Sequence, residues 1–220
     1  MSARDGANAA AVFLAFDTAT DVPSLALGTA GDPGEDLRVP SRRDLSREIE
    51  RATASLLARE GVDVGRLAGV IVADGPGSFT GLRIGIAFAK GLCRAGGLPL
   101  LAAPSMLGAA FAASGGAGSV LVEYDALRGD VYRAFYRFAR GGKAGPAVEV
   151  VSPPALVPGD SPPPVVPGLR RAGAAHASAG ALLRLRAVAG GLVVVEEPDR
   201  WEPAYGRLAE AEVRRRAGQH

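Results

Sequence analysis

GVIVAD (residues 69–74) runs directly into GPGSFTGLRIGIAFAKGL (residues 75–92). The first six residues are apolar up to a terminal carboxylate, the pattern of a buried strand. Gly75, Pro76 and Gly77 interrupt it, and a helix is predicted from Gly81 to about Arg94. A strand, a glycine-rich turn and a helix make a layout that can bind an anion. Glycine lets backbone N–H groups approach closely, and the helix adds the positive end of its dipole. Two familiar versions are excluded. The spacing of Gly75, Gly77 and Gly81 is one residue too long for the dinucleotide fingerprint, and no Gly-Lys-Ser/Thr follows to make a P-loop. The other use of such a loop is a plain strand-to-helix turn in which glycine supplies φ > 0.

Upstream, residues 12–16 are apolar and end in DTAT (17–20); residues 24–29 alternate weakly, which predicts a hairpin, and Pro40 cuts short a third strand at 37–40. Leu45, Ile49, Ala52 and Leu56 recur at helical spacing over 44–60. Ser41 or Asp44 can accept the free N–H groups of the first turn, and Gly61 suits the stop. A strand at 98–102 and a helix at 104–113 complete a first lobe, residues 11–114. SGGAG (114–118) links it to a reduced second lobe, 115–204, with strands at 120–125, 131–138 and 147–151 and the turn LRGD at 127–130. Residues 153–167 hold seven prolines, which lack the N–H that ladders need, so an extended connection is expected there. A helix at 178–188, a strand at 192–195 and a last helix at 205–216, within a terminal segment 205–220, finish the chain. Residues 1–10 read as a loose extension. The expected fold class is α/β, two lobes with mixed sheets flanked by helices.

The 220 residues are 48 % hydrophobic, enough to bury a core. Basic and acidic residues, 25 and 23, nearly balance at a net +2, which gives no electrostatic reason for tight nucleic-acid binding by this chain alone. Cys93 is the sole cysteine, so an internal disulfide and a cysteine metal cluster are excluded. His176 and His220 are the only histidines and neither has another four residues away, so the His-x-x-x-His of a metalloprotease helix is absent. No metal site is expected. No segment reaches the ~18–20 unbroken apolar residues that span a bilayer, and Asp5 and Asn8 interrupt the first ten residues. A cytoplasmic protein without a membrane partner is expected.

Four segments in order along the chain resemble the TsaB (YeaZ) family: FDTAT (16–20), GPGSFTGLRIGIAFAKGL (75–92), YDALRGDVY (124–132) and EPAYGR (202–207). The second is long and specific; the others are short. FDTAT also resembles the first phosphate loop of the actin-like ATPase and sugar-kinase (ribonuclease H-like) superfamily, to which that family belongs. The resemblance implies an actin-like fold and a non-catalytic subunit. Such subunits pair with the metal-bearing paralogue TsaD and, with the ATPase TsaE, transfer threonylcarbamoyl to the adenosine beside the anticodon of tRNA. TsaC makes the donor. Leu45 and Leu127 depart from residues common in the family, and the stretch 153–168 is unusually proline-rich.

Asp17, Thr18, Thr20, Asp74, Gly75, Gly77, Ser78, Thr80 and Arg83 are the candidates for nucleotide or phosphate contact. The alternative is that Asp17 and Thr18 hydrogen-bond their turn, Asp74 caps the glycine loop and Arg83 is an exposed arginine beside it. No catalytic residue and no required cofactor are assigned; contact with ATP or ADP within a complex is left open. An active small-molecule kinase of the same superfamily is the alternative function. Its second lobe would need a second glycine-rich loop after a strand, and residues 119–200 offer no clear one.

The helix over 81–94 is apolar on two sides, so something besides its own sheet should cover it. The resemblance implies docking with TsaD through the first two helices, giving Leu45, Ile49, Ala52, Leu56, Ile84, Ala87, Phe88, Ala89 and Leu92 as interface candidates. The alternative cover is the 44–60 helix or the C-terminal helix. Without TsaD the same surface is expected to attract a second copy. tRNA is expected to be met mainly through the complex. The run Arg214, Arg215, Arg216 suits either a phosphate or its own helix C-terminus.

Overall fold

The computed structural model describes residues 11–29, 31–39, 44–141 and 145–203. A six-stranded mixed sheet is ordered β10-β5-β4-β1-β2-β3. Its strands are β1 (Phe13–Asp17), β2 (Ser24–Gly28), β3 (Leu37–Arg38), β4 (Gly69–Ala73), β5 (Leu100–Ala103) and β10 (Val193–Val194). The β1–β2 hairpin is antiparallel, whereas β1, β4 and β5 run parallel, so their carboxyl ends open on one edge. Every position of β1 and β4 is buried, which requires a cover on both faces.

Helices α1 (Leu45–Glu60) and α2 (Phe79–Gly96) pack on each other and on this sheet. α1 ends on Gly61 at φ 62, the left-handed stop expected from sequence. Asp44 stands at its start without a side-chain cap hydrogen bond. α3 (Ser105–Ser114) is buried nearly all round and packs on the second sheet, ordered β8-β7-β6-β9. That sheet comprises β6 (Gly118–Asp125), β7 (Asp130–Ala139), β8 (Ala147–Pro158) and β9 (Arg170–Ala172).

Two expectations change. First, the strand expected at 147–151 continues through Pro153 and Pro154 to Pro158. β8 is an edge strand, where a missing N–H costs no ladder bond, and the register against β7 slips on either side of Phe135, between Ala155 and Val150. Second, the segment expected to close the second lobe returns to the first sheet. α4 (Ala179–Arg184) packs on β1, β2 and β4, and β10 pairs antiparallel with β5. The free donors of α4 fix it there: Ala179 N–H donates to Ser24 Oγ at 2.9 Å and Gly180 N–H to Asp36 Oδ1 at 2.7 Å. The second sheet therefore stands on residues 118–172, and the chain after it completes the first. The segments 1–10 and 205–220, with the predicted C-terminal helix, lie outside the described residues. Among the described residues no helix is long and apolar enough to cross a membrane.

Candidate functional site

The carboxyl ends of β1, β4 and β5 bring both strand-end aspartates to one edge of the sheet, and the two have different surroundings. Asp17 is 1 % exposed. Its Oδ1 accepts the Ala19 N–H at 3.0 Å and its Oδ2 accepts the Ser105 hydroxyl at 2.6 Å. Ser105 Oγ lies 3.3 Å from the Tyr124 hydroxyl. Burial pushes the Asp17 carboxyl above the usual carboxylate range, opposed by these two hydrogen bonds. Asp17 thus ties the turn after β1 to the start of α3 and to β6. Thr20 Oγ1 accepts the Val22 N–H at 3.4 Å in the same turn.

The glycine loop seats that turn. A Cβ at Gly77 would overlap the Ala19 carbonyl oxygen, one at Gly81 the Thr18 carbonyl oxygen, and one at Gly85 the Thr18 hydroxyl. The Ser78 N–H donates to Ala19 O at 2.7 Å, and Ser78 Oγ caps α2 by accepting the Gly81 N–H at 3.2 Å. Glycines at 77, 81 and 85 therefore form a groove filled by the protein's own residues 18–19. The positive φ lies at Gly75, at 112°, and Gly77 is needed for close approach instead. Thr80 is exposed at the first turn of α2.

Asp74 follows β4, and its N–H donates to Ala103 O at 3.0 Å. It is not seen to cap the glycine loop: among the described residues its buried Oδ1 has no hydrogen-bond partner. Burial pushes its carboxyl up to about 6. Asp74 lines a recess of about 280 Å³ whose walls include Pro76 and Pro104, which follow β4 and β5, and Tyr132, Pro154 and Leu156 from the second sheet. The Tyr136 hydroxyl is also buried without a partner among the described residues, and its pKa is raised by burial first and the Asp74 charge second. Arg83 lies elsewhere. Its guanidinium sits 4.8 Å from the centroid of the Phe79 ring, and it lines a second recess with Lys90, Arg200 and Trp201.

The predicted docking residues separate into two groups. Leu45, Ile49, Leu56 and Ala89 lie in the protein's own core and offer no surface to a partner, a correction to the sequence expectation. Their regular spacing marks the inward stripe of each helix. Ala52, Ile84, Phe88 and Leu92 are half-buried, and Phe88 packs edge-on against Phe16 at 5.6 Å. Ala87 is exposed, as are Arg83 and Gly91 one turn away on either side. Trp201, which sequence reasoning did not single out, packs against the core, and its carbonyl accepts the Lys90 Nζ at 2.7 Å, laying the end of the described chain along α2. Ser105, Tyr124 and Tyr136 were also missed. Nothing local in the sequence distinguishes them from ordinary helix-start and strand residues.

A family model described as TsaD, tRNA N6-adenosine threonylcarbamoyltransferase, matches residues 39–158, more than half of the chain. The tRNA threonylcarbamoyladenosine biosynthesis protein TsaB of Escherichia coli is 35 % identical over 147 residues, which span 66 % of this chain and 63 % of that protein. TsaB of Bacillus subtilis is 39 % identical over 77 residues, 34 % of this chain and 33 % of that one. The match thus spans somewhat less than two thirds of the Escherichia coli protein and a third of the Bacillus subtilis one. Among solved structures, YeaZ from Pseudomonas aeruginosa superposes with a TM-score of 0.62 at 26 % identity, covering 74 % of this chain and 76 % of that one. A second structure, of an uncharacterized protein similar to peptidase YeaZ from Pseudomonas aeruginosa, shares the fold at a TM-score of 0.67 and 22 % identity, covering 90 % of this chain and all of the other. With the mixed sheets, the strand–glycine loop–helix unit and the covered strand ends described above, the chain belongs to the TsaB (YeaZ) family and has its actin-like, Gcp-like α/β fold.

Proposed function

We infer that this chain acts in tRNA threonylcarbamoyladenosine biosynthesis as a subunit without chemistry of its own, binding and activating a TsaD-type transferase. The observation that carries the reading is the outer face of α2. Ala87 and Gly91 leave the helix backbone open to solvent, flanked by half-buried Ile84 and Leu92, while the opposite face is sealed by the sheet. Small exposed residues on a long helix permit close approach of a second helix, and an interface of this type should bury on the order of 800 Å² per partner. Asp17 supports the non-catalytic part, since both its carboxylate oxygens are engaged by the protein's own donors. TsaE and tRNA are met through the complex in a cytoplasmic setting. Any ATP or ADP contact arises there, and a second copy of this chain occupies the same face when TsaD is absent.

The test mixes the purified chain with TsaD from the same organism and measures complex mass and affinity. Ala87→Glu is expected to leave the monomer folded and to weaken the complex at least tenfold, because a long charged side chain would be held where the helix backbones meet. Ala89→Glu is unsuitable, since that position is 0 % exposed and the charge would enter the core. Full affinity in a folded Ala87→Glu variant would remove this face as the docking surface. Steady ATP turnover by the pure chain, abolished by Asp17→Ala, would favour a kinase.

A further inference from the structure

The recess beside Asp74 lies where open α/β sheets usually hold ligands, beyond the carboxyl ends of parallel strands. Its chemistry is unlike that of a phosphate site. Among the described residues, the one carboxylate in its lining is Asp74, and the lining holds no lysine, arginine or histidine. An anion would meet a like charge in an apolar setting. A divalent metal would need several oxygen ligands, and prolines and a leucine do not supply them. A purely apolar occupant would leave the Asp74 carboxylate without a counter-charge.

We propose that this recess is a binding site for an amine or guanidinium group carried on an apolar stem, with Asp74 as its counter-ion. Asp74 keeps some exposure where it lines the recess, so a cationic N–H group there would stand against its carboxylate, and the stem would lie along Pro76, Pro104, Pro154 and Leu156. The Tyr136 hydroxyl, 1 % exposed and without a partner among the described residues, is a second polar group within reach of the Asp74 field. The volume of about 280 Å³ is at the small end for ligand pockets, so a short alkyl chain fits and a nucleotide does not. Because the walls come from both sheets, an occupant would join the 74–76 and 153–156 segments. Burial pushes this carboxyl up to about 6, and a bound cation would lower it again. The same chemistry is found on a free small amine and on a lysine or arginine side chain of another protein. The site stands independently of docking on α2.

The experiment uses the ¹⁵N-labelled full chain and records backbone amide shifts while n-butylammonium chloride is added at constant ionic strength and neutral pH. Saturable shifts at Gly75, Tyr132 and Leu156 are expected. Affinity should fall at least tenfold in Asp74→Asn and be lost in Leu156→Trp, which fills the recess from a position 43 % exposed and so spares the core. A parallel arm uses N-acetyl-lysine methylamide. Equal binding assigns the site to a side chain, whereas binding of the small amine alone assigns it to a free ligand. The proposal is overturned by shifts that stay linear or absent, by equal binding of n-butanol, or by unchanged affinity in either variant. Should Asp74→Asn not fold, Leu156→Trp with the n-butanol comparison decides alone.

Discussion

Asp74→Asn should stabilise the protein, and by an amount that depends on pH. The native carboxyl sits at about 6 against an ordinary 3.8, because burial disfavours its charged form. At 1.36 kcal/mol per tenfold step, that gap corresponds to roughly 3 kcal/mol. Asp74 keeps some solvent contact, so about 1–3 kcal/mol is the expected range. The native state binds the proton more tightly than the unfolded chain does. Stability is therefore unaffected by this group below the unfolded value and falls as pH rises through the window from roughly 4 to 7. Asparagine mimics the protonated acid at every pH, so the two proteins should match near the acid end and diverge by the full amount at about pH 8. Urea unfolding followed by far-UV circular dichroism measures the difference at each pH, and groups such as Asp17 that titrate in both proteins cancel. A difference that stays flat with pH would refute the reasoning. So would a wild type more stable than the variant at pH 8, since that requires a partner for the carboxylate.

Two glycines, Gly77 before α2 and Gly91 within it, should respond in opposite ways. Gly77→Val places side-chain atoms against the Ala19 carbonyl, a backbone group that cannot swing aside, and should cost several kcal/mol in urea unfolding. A folded variant of wild-type stability would show that the 18–19 turn is free to move. Gly91→Ala meets open space in an exposed helix interior and should raise monomer stability by about 1 kcal/mol. The same change should weaken the complex with TsaD if docking needs close helix approach at this face, and titration calorimetry on the same sample separates the two effects.

What could be foreseen depended on how local its cause is. The strand ending at Asp74, the glycine turn, α2 and the Gly61 stop of α1 follow from periodicity and from residues adjacent in sequence, and they are where the sequence places them. The return of α4 and β10 to the first sheet depends on pairings across 144 and 155 residues, such as Gly180 to Asp36 and Ala179 to Ser24, which no periodicity encodes. The docking set failed in part for a physical reason. The resemblance implied the helix pair, but Leu45, Ile49 and Leu56 recur at helical spacing, and a regular apolar stripe is the signature of a helix facing its own core. The outward face of α2 is marked instead by small residues, Ala87 and Gly91, which carry little periodic signal. Glycine is ambiguous in the same way. At 77, 81 and 85 it reads as room for an anion, yet room beside a backbone is filled by whatever lies nearest, and here Thr18 and Ala19 occupy it. The Asp74 recess could not be read from either half of the chain. The strand end supplies the carboxylate, but the apolar walls that deny it a counter-charge arrive with Tyr132 and the proline-bearing edge strand β8. The prolines that looked like a mere connection are thus what makes the surroundings of Asp74 apolar, because an edge strand admits them at positions where a central strand would not.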